Sequence, residues 1–118
     1  MGAGAAVAAA LLCGCSAVDC STTDTSHVAP GEAVTAIERV ISCGGAAGSL
    51  DTEVLLAPAG GEDDATVVVA TTGPVYSVRW LDAETLVVEV SPVDEVGDPV
   101  SKHVESADGV RVVLRRRA

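Results

Sequence analysis

Four cysteines, at positions 13, 15, 20 and 43, carry most of the chemistry open to this chain. A thiol can take a lipid, pair as a disulfide or hold a metal, and its setting decides which. Glu62-Asp63-Asp64 gathers three carboxylates in a Gly-rich stretch, a possible source of oxygen ligands for calcium. The triplet lacks the regular spacing of a calcium loop and reads as solvated turn charge. His27 and His103 have no second ligand at metal spacing and read as surface residues, so no metal and no cofactor is expected. No serine stands in a Gly-x-Ser-x-Gly setting and no Gly-rich phosphate loop opens a helix, so no catalytic residue is assigned. Trp80 is the one candidate ligand contact, as a stacking platform, and the competing reading makes it the largest filler of the core. Arg115-Arg116-Arg117 either caps the last strand against an acidic surface or frays as a tail.

The setting of the first two cysteines is distinctive. Gly2 to Leu12 is an uncharged run of Ala, Gly, Val and Leu, the length of a signal-peptide apolar region and short of the roughly 20 residues that cross a bilayer. Leu12-Cys13-Gly14-Cys15 closes it and resembles the bacterial lipobox, in which small residues precede a cysteine that takes a diacylglycerol. The resemblance makes Cys15 the lipid attachment site and residue one of the mature chain. Cys13 stands where Ala, Ser or Thr is usual, and no Lys or Arg precedes the run, so one is expected upstream. An Ala-rich disordered N-terminus and an ordinary signal peptide cut near Ala17 are the competing readings. Myristoylation at Gly2 is disfavoured, because Ala6 stands where that motif needs Ser or Thr.

These readings divide the chain into a signal peptide (1–14), a tether (15–32) and one domain (33–118). The formal net charge is −10, and Lys102 is the single lysine. Without a basic stripe, nucleic acid is not an expected partner. Such a chain would also be repelled by anionic lipid, so its membrane attachment must come from acyl chains, each buried methylene contributing about 0.8 kcal/mol. With one Trp, one Tyr and no Phe, the core must be built from Val, Leu, Ile and Ala, which leaves a small domain in need of a covalent staple. If processing removes Cys13 and lipidates Cys15, Cys20 and Cys43 remain. An exported chain favours a disulfide between them, worth about 3 kcal/mol; two free thiols or a metal pair are the alternatives.

Residues 16–32 are rich in Ser, Thr, Asp, Gly and Pro without periodicity, the composition of a tether. Beyond residue 33, short Val-rich runs alternate with turn clusters, which predicts an all-β domain with strands over 34–43, 52–57, 65–71, 75–81, 85–90, 100–105 and 110–115. Val67-Val68-Val69 suits a strand covered on both faces. Tyr76, Val78 and Trp80 share one face of the fourth run, and Asp82-Ala83-Glu84 makes it a hairpin with the fifth, whose Leu86, Val88 and Val90 point inward. The expected architecture is a small antiparallel meander, either a single curled sheet or a small sandwich.

Pro30-Gly31, a strand ending in Cys43-Gly44-Gly45, Val78-Arg79-Trp80-Leu81 with Thr85-Leu86-Val87-Val88, and Gly109-Val110-Arg111-Val112 follow one another in the order found in an uncharacterised family of small bacterial lipoproteins, which the chain resembles from Cys20 to Leu114. It departs from the family pattern at Gly44-Gly45-Ala46-Ala47, where a Thr pair is usual, and after Val90, where an aromatic is usual. The resemblance implies a β fold and a Cys20–Cys43 bridge and brings no known activity. The functional expectation is an extracytoplasmic envelope lipoprotein, held to a bacterial membrane by its lipid, that binds another envelope protein without being an enzyme. A small envelope hydrolase or inhibitor-like protein is the alternative.

Overall fold

The computed structural model describes residues 19–44 and 48–118. Cys13, Cys15, the signal-peptide reading and Gly45-Ala46-Ala47 lie outside the described residues. Among those described are the strands β1 (Cys20–Val28), β2 (Val34–Cys43), β3 (Ser49–Pro58), β4 (Thr66–Thr72), β5 (Ser77–Asp82), β6 (Thr85–Val90), β7 (Val100–His103), β8 (Ser106–Ala107) and β9 (Val110–Arg116), with one 3-10 turn at Glu62–Asp64. The fold is all-β, as expected, and takes the two-sheet form. One sheet runs β1-β2-β3-β4-β7 and the other β5-β6-β9-β8.

Inward-pointing residues of both sheets meet in a single aliphatic cluster, from Val34 and Ala36 of β2 through Val54 and Leu56 of β3 to Leu86, Val88 and Val90 of β6 and Val110 and Val112 of β9. Leu56 and Leu86 are its largest fully buried side chains, which is what a chain without Phe must rely on. Val68 and Val69 are both buried, for a reason other than the expected cover on two faces. The β3–β4 register slips between Val54 and Leu55, pairing Val69 with Val54 but Val67 with Leu55. The bulge leaves Val68 as the extra residue, and both valines join the one core.

Three further expectations are corrected. Residues 20–28, read as tether, form β1 and pair with β2 over their whole length. Its Ser and Thr residues stay exposed, so no hydrophobic period marks a strand, although Thr itself suits the β conformation. The run from Val100 to Glu105 is not one strand. β7 pairs with β4 in the first sheet, then the Val104 N–H bonds Val68 O at 2.8 Å and the Val112 N–H bonds Glu105 O at 2.8 Å, so the chain changes sheets there. That crossing brings β9 back alongside β6 in parallel, so the second sheet is mixed and the fold is not a plain antiparallel meander. Tyr76 is the third: it precedes β5 and is exposed rather than sharing the buried face of Val78.

Turn chemistry matches the residues present. Asp108 (φ 52°) and Gly109 (φ 74°) both adopt positive φ between Ala107 and Val110, the two-residue hairpin turn for which Asp-Gly is the favoured pair. The expected β5–β6 hairpin also forms, with the Glu84 N–H bonding Asp82 Oδ1 at 2.8 Å. That bond holds the Asp82 carboxyl below the ordinary carboxylate range.

The registers define two ends. At one lie Cys20, Cys43, Leu50, Gly73, the 91–99 loop and Arg116, linked by the pairings Cys20↔Cys43, Asp51↔Thr72 and Val90↔Arg116 and by the Thr72 N–H to Pro99 O bond of 2.9 Å. At the other lie Val28, the Pro30-Gly31-Glu32 turn, Leu81 and the Asp108-Gly109 turn.

Candidate functional site at the β1 edge

β1 is hydrogen-bonded to β2 on one side, and among the described residues no strand covers the other. The direction of its backbone groups follows from its two flanking bonds: the Gly44 N–H to Asp19 O at 2.8 Å and the Ala29 N–H to Val34 O at 2.9 Å. In an antiparallel ladder, hydrogen-bonded and non-hydrogen-bonded pairs alternate, so Ser21, Thr23, Thr25 and His27 face β2. Thr22, Asp24 and Ser26 therefore direct their N–H and C=O groups outward.

Edge strands are ordinarily blunted by Pro, Lys, a bulge or brevity. β1 has nine residues, none of them Pro, Gly or Lys, and its register is unbroken. Its one acid is neutralised, since Arg39 Nε and Nη2 donate to the two Asp24 carboxylate oxygens at 2.9 and 3.1 Å. These hydrogen bonds hold the Asp24 carboxyl below its ordinary range. The stabilisation, under about 1 kcal/mol for an exposed pair, is present above the unfolded pKa of Asp and lost as pH falls through the depressed folded value. Beside this pair, a shallow groove on the outer face of the sheet is lined by Asp24, Ser26, Ile37, Arg39, Leu55 and Asp63.

Both ends of β1 are fixed. At one, Cys20 and Cys43 are directly opposed in a non-hydrogen-bonded pair, where side chains approach most closely, with Cα atoms 4.0 Å apart and the sulfurs joined as a disulfide. At the other, Trp80 Nε1–H donates to the His27 carbonyl at 2.8 Å, and His27 Nε2 lies 3.1 Å from Glu38 Oε1. Trp80 is partly buried and packs against the core. With its N–H committed to β1, the indole acts as a clamp between the sheets, the geometry of a structural residue rather than an open platform.

The remaining candidates are dispersed. His103 Nε2 is 2.9 Å from Val112 O, a contact between β7 and β9. Asp63 and Asp64 are exposed in the 3-10 turn, and no group of three or more metal-ligating side chains converges among the described residues. Arg116 pairs with Asp98 at 2.9 and 2.8 Å, and the Arg117 guanidinium lies 4.3 Å above the Tyr76 ring, so the basic run caps the last strand. Bonds from Arg116, then from the Val100 N–H, hold the Asp98 carboxyl below its ordinary range. No known protein family, curated protein or solved structure matches the chain.

The Cys20–Cys43 bridge forms as expected, whereas the edge strand and the Trp80 clamp escape a reading based on hydrophobic period. One signal for the β1–β2 pairing was present: Cys20 and Cys43 are equidistant from the Gly31-Glu32 turn, where both residues have positive φ. A cysteine pair symmetric about a turn marks a hairpin.

Proposed function

We propose that this chain is a lipid-anchored lipoprotein of the bacterial cell envelope, attached through Cys15, whose domain is a non-enzymatic binding module. Its partner is an envelope protein that adds an extended segment along β1, main-chain bonds supplying affinity and the Asp24–Leu55 groove receiving alternate side chains. The observation that carries this reading is the unbroken, unblocked nine-residue edge, held in place from both ends. Membership of the small-lipoprotein family that the motif order resembles belongs to the same proposal. The hydrolase alternative draws no support from the contacts of the described polar groups. The buried polar side chains there are Thr52 and Thr71, which bond the backbone carbonyls of Gly73 and Thr72.

The test is photocrosslinking in intact bacterial cells from a probe at Ser26, with a probe at the exposed Arg111 of β9 as control. Ser26 should give discrete adducts and Arg111 none. Thr22→Pro places a ring on an outward amide that β2 does not use, and should abolish the adducts while the domain remains folded. Cys15→Ala should lose palmitate labelling and the adducts together. Identical adducts from both probes, or adducts indifferent to Thr22→Pro, would refute edge docking; labelling of the Cys15 variant would refute the anchor.

A further inference from the structure

Six large apolar side chains are exposed among the described residues, and four of them lie at the Cys20 end: Val96 (97% exposed), Val93 (56%), Tyr76 (44%) and Leu50 (38%). They come from three separate segments that the strand registers bring together. We infer that this end is a membrane-contact surface, on which the domain stands against the bilayer holding its own lipid, with Val93 and Val96 at the interface.

The inference rests on the proposed anchor at Cys15, and chain length then decides the geometry. Four residues lie between Cys15 and Cys20, and even fully extended the five Cα-to-Cα steps span at most about 18 Å. Cys20 is fixed to Cys43 and begins a regular strand, so no further slack exists beyond it. A domain so tethered holds its Cys20 end close to the lipid and its Val28 end away.

The 91–99 loop satisfies part of its own backbone: Asp94 and Gly97 exchange both backbone bonds at 3.1 Å, and Asp94 Oδ1 also accepts the Val96 N–H at 2.9 Å. Glu95, exposed between Val93 and Val96, keeps its carboxylate in the headgroup water, which limits the contact to the interface rather than the acyl core. Asp98 is paired with Arg116. Beside the loop, Tyr76 with Arg117 over its ring is an amphipathic pair of the kind that settles at headgroup level. The same orientation sends β1 away from the membrane along its length, leaving its edge free for a partner in the adjoining compartment.

The test uses the full chain expressed in a bacterial host, purified from its membranes and reconstituted in phosphatidylcholine vesicles whose acyl chains are brominated. An environment-sensitive fluorescent amino acid is placed at Val96 or, at the opposite end, at Leu81, both exposed enough that folding is not at stake. The Val96 probe should lose about half its emission or more and the Leu81 probe almost none, since interfacial residues enter only the outer part of the acyl region. The intact mass reports lipid on Cys15 independently. A lipidated protein with an unquenched Val96 probe, or equal quenching at both sites, would overturn the orientation; a protein without lipid would overturn the anchor and the orientation with it.

Discussion

Trp80→Ala is expected to destabilise the domain by about 3 kcal/mol, the lower part of the range for a large aromatic in a core. Two effects combine. The indole is the largest side chain in a chain without Phe, and its removal leaves a cavity beside an aliphatic cluster with nothing bulky enough to refill it. Its N–H is also the bond that holds the His27 end of β1 to the second sheet. Trp80→Phe separates the two, keeping most of the packing and losing the bond, at about 1 kcal/mol. Urea unfolding of the two variants measures both. Native fluorescence should be moderately blue-shifted and only partly quenched by iodide, as suits a half-buried ring. A red, freely quenched emission with less than about 1 kcal/mol lost in the Ala variant would place Trp80 on the surface and restore it as a ligand contact.

Breaking the Cys20–Cys43 bridge is the second large effect. The cysteines are 23 residues apart, and loop-closure entropy for such a span gives about 3 kcal/mol. For a domain of this size the melting temperature should fall by about 10 to 20 °C on reduction. The loss should be local as well as global, since the bridge pins the end of β1 that the proposed tether would pull on. Mass spectrometry of the non-reduced protein should find the two cysteines in one linked peptide. Free reaction of both thiols with an alkylating agent in the folded state would contradict the bridge.

Much of the core was legible because it is periodic. Leu86, Val88 and Val90 alternate with outward residues, and the structure buries all three, as it does Val110 and Val112. Asp-Gly at 108–109 announced a turn whose backbone only such residues adopt easily. Elsewhere, tertiary partners decided what local pattern could not. Val68 and Val69 lie on the core together because β3 imposes a bulge, and the run after Val100 divides because two different sheets claim its halves. Tyr76 has the right parity for the core, but the strand starts one residue later and Arg117 takes the ring at the rim. β1 was hidden for a different reason. Its side chains contribute almost nothing to the core, so its strand character is carried by backbone pairing and by two clamps whose partners, at Cys43 and Trp80, are remote in sequence.

The central claim, that β1 is an open edge with its alternate backbone groups unpaired, is tested most directly by residue-resolved amide hydrogen exchange in the isolated protein. The account predicts alternation along the strand: slow exchange at Thr23, Thr25 and His27, whose amides face β2, and fast exchange at Thr22, Asp24 and Ser26, whose amides face outward. Uniform protection of all six would mean that something already covers the edge, and uniform fast exchange would mean that β1 is not a stable strand; either result would contradict the account.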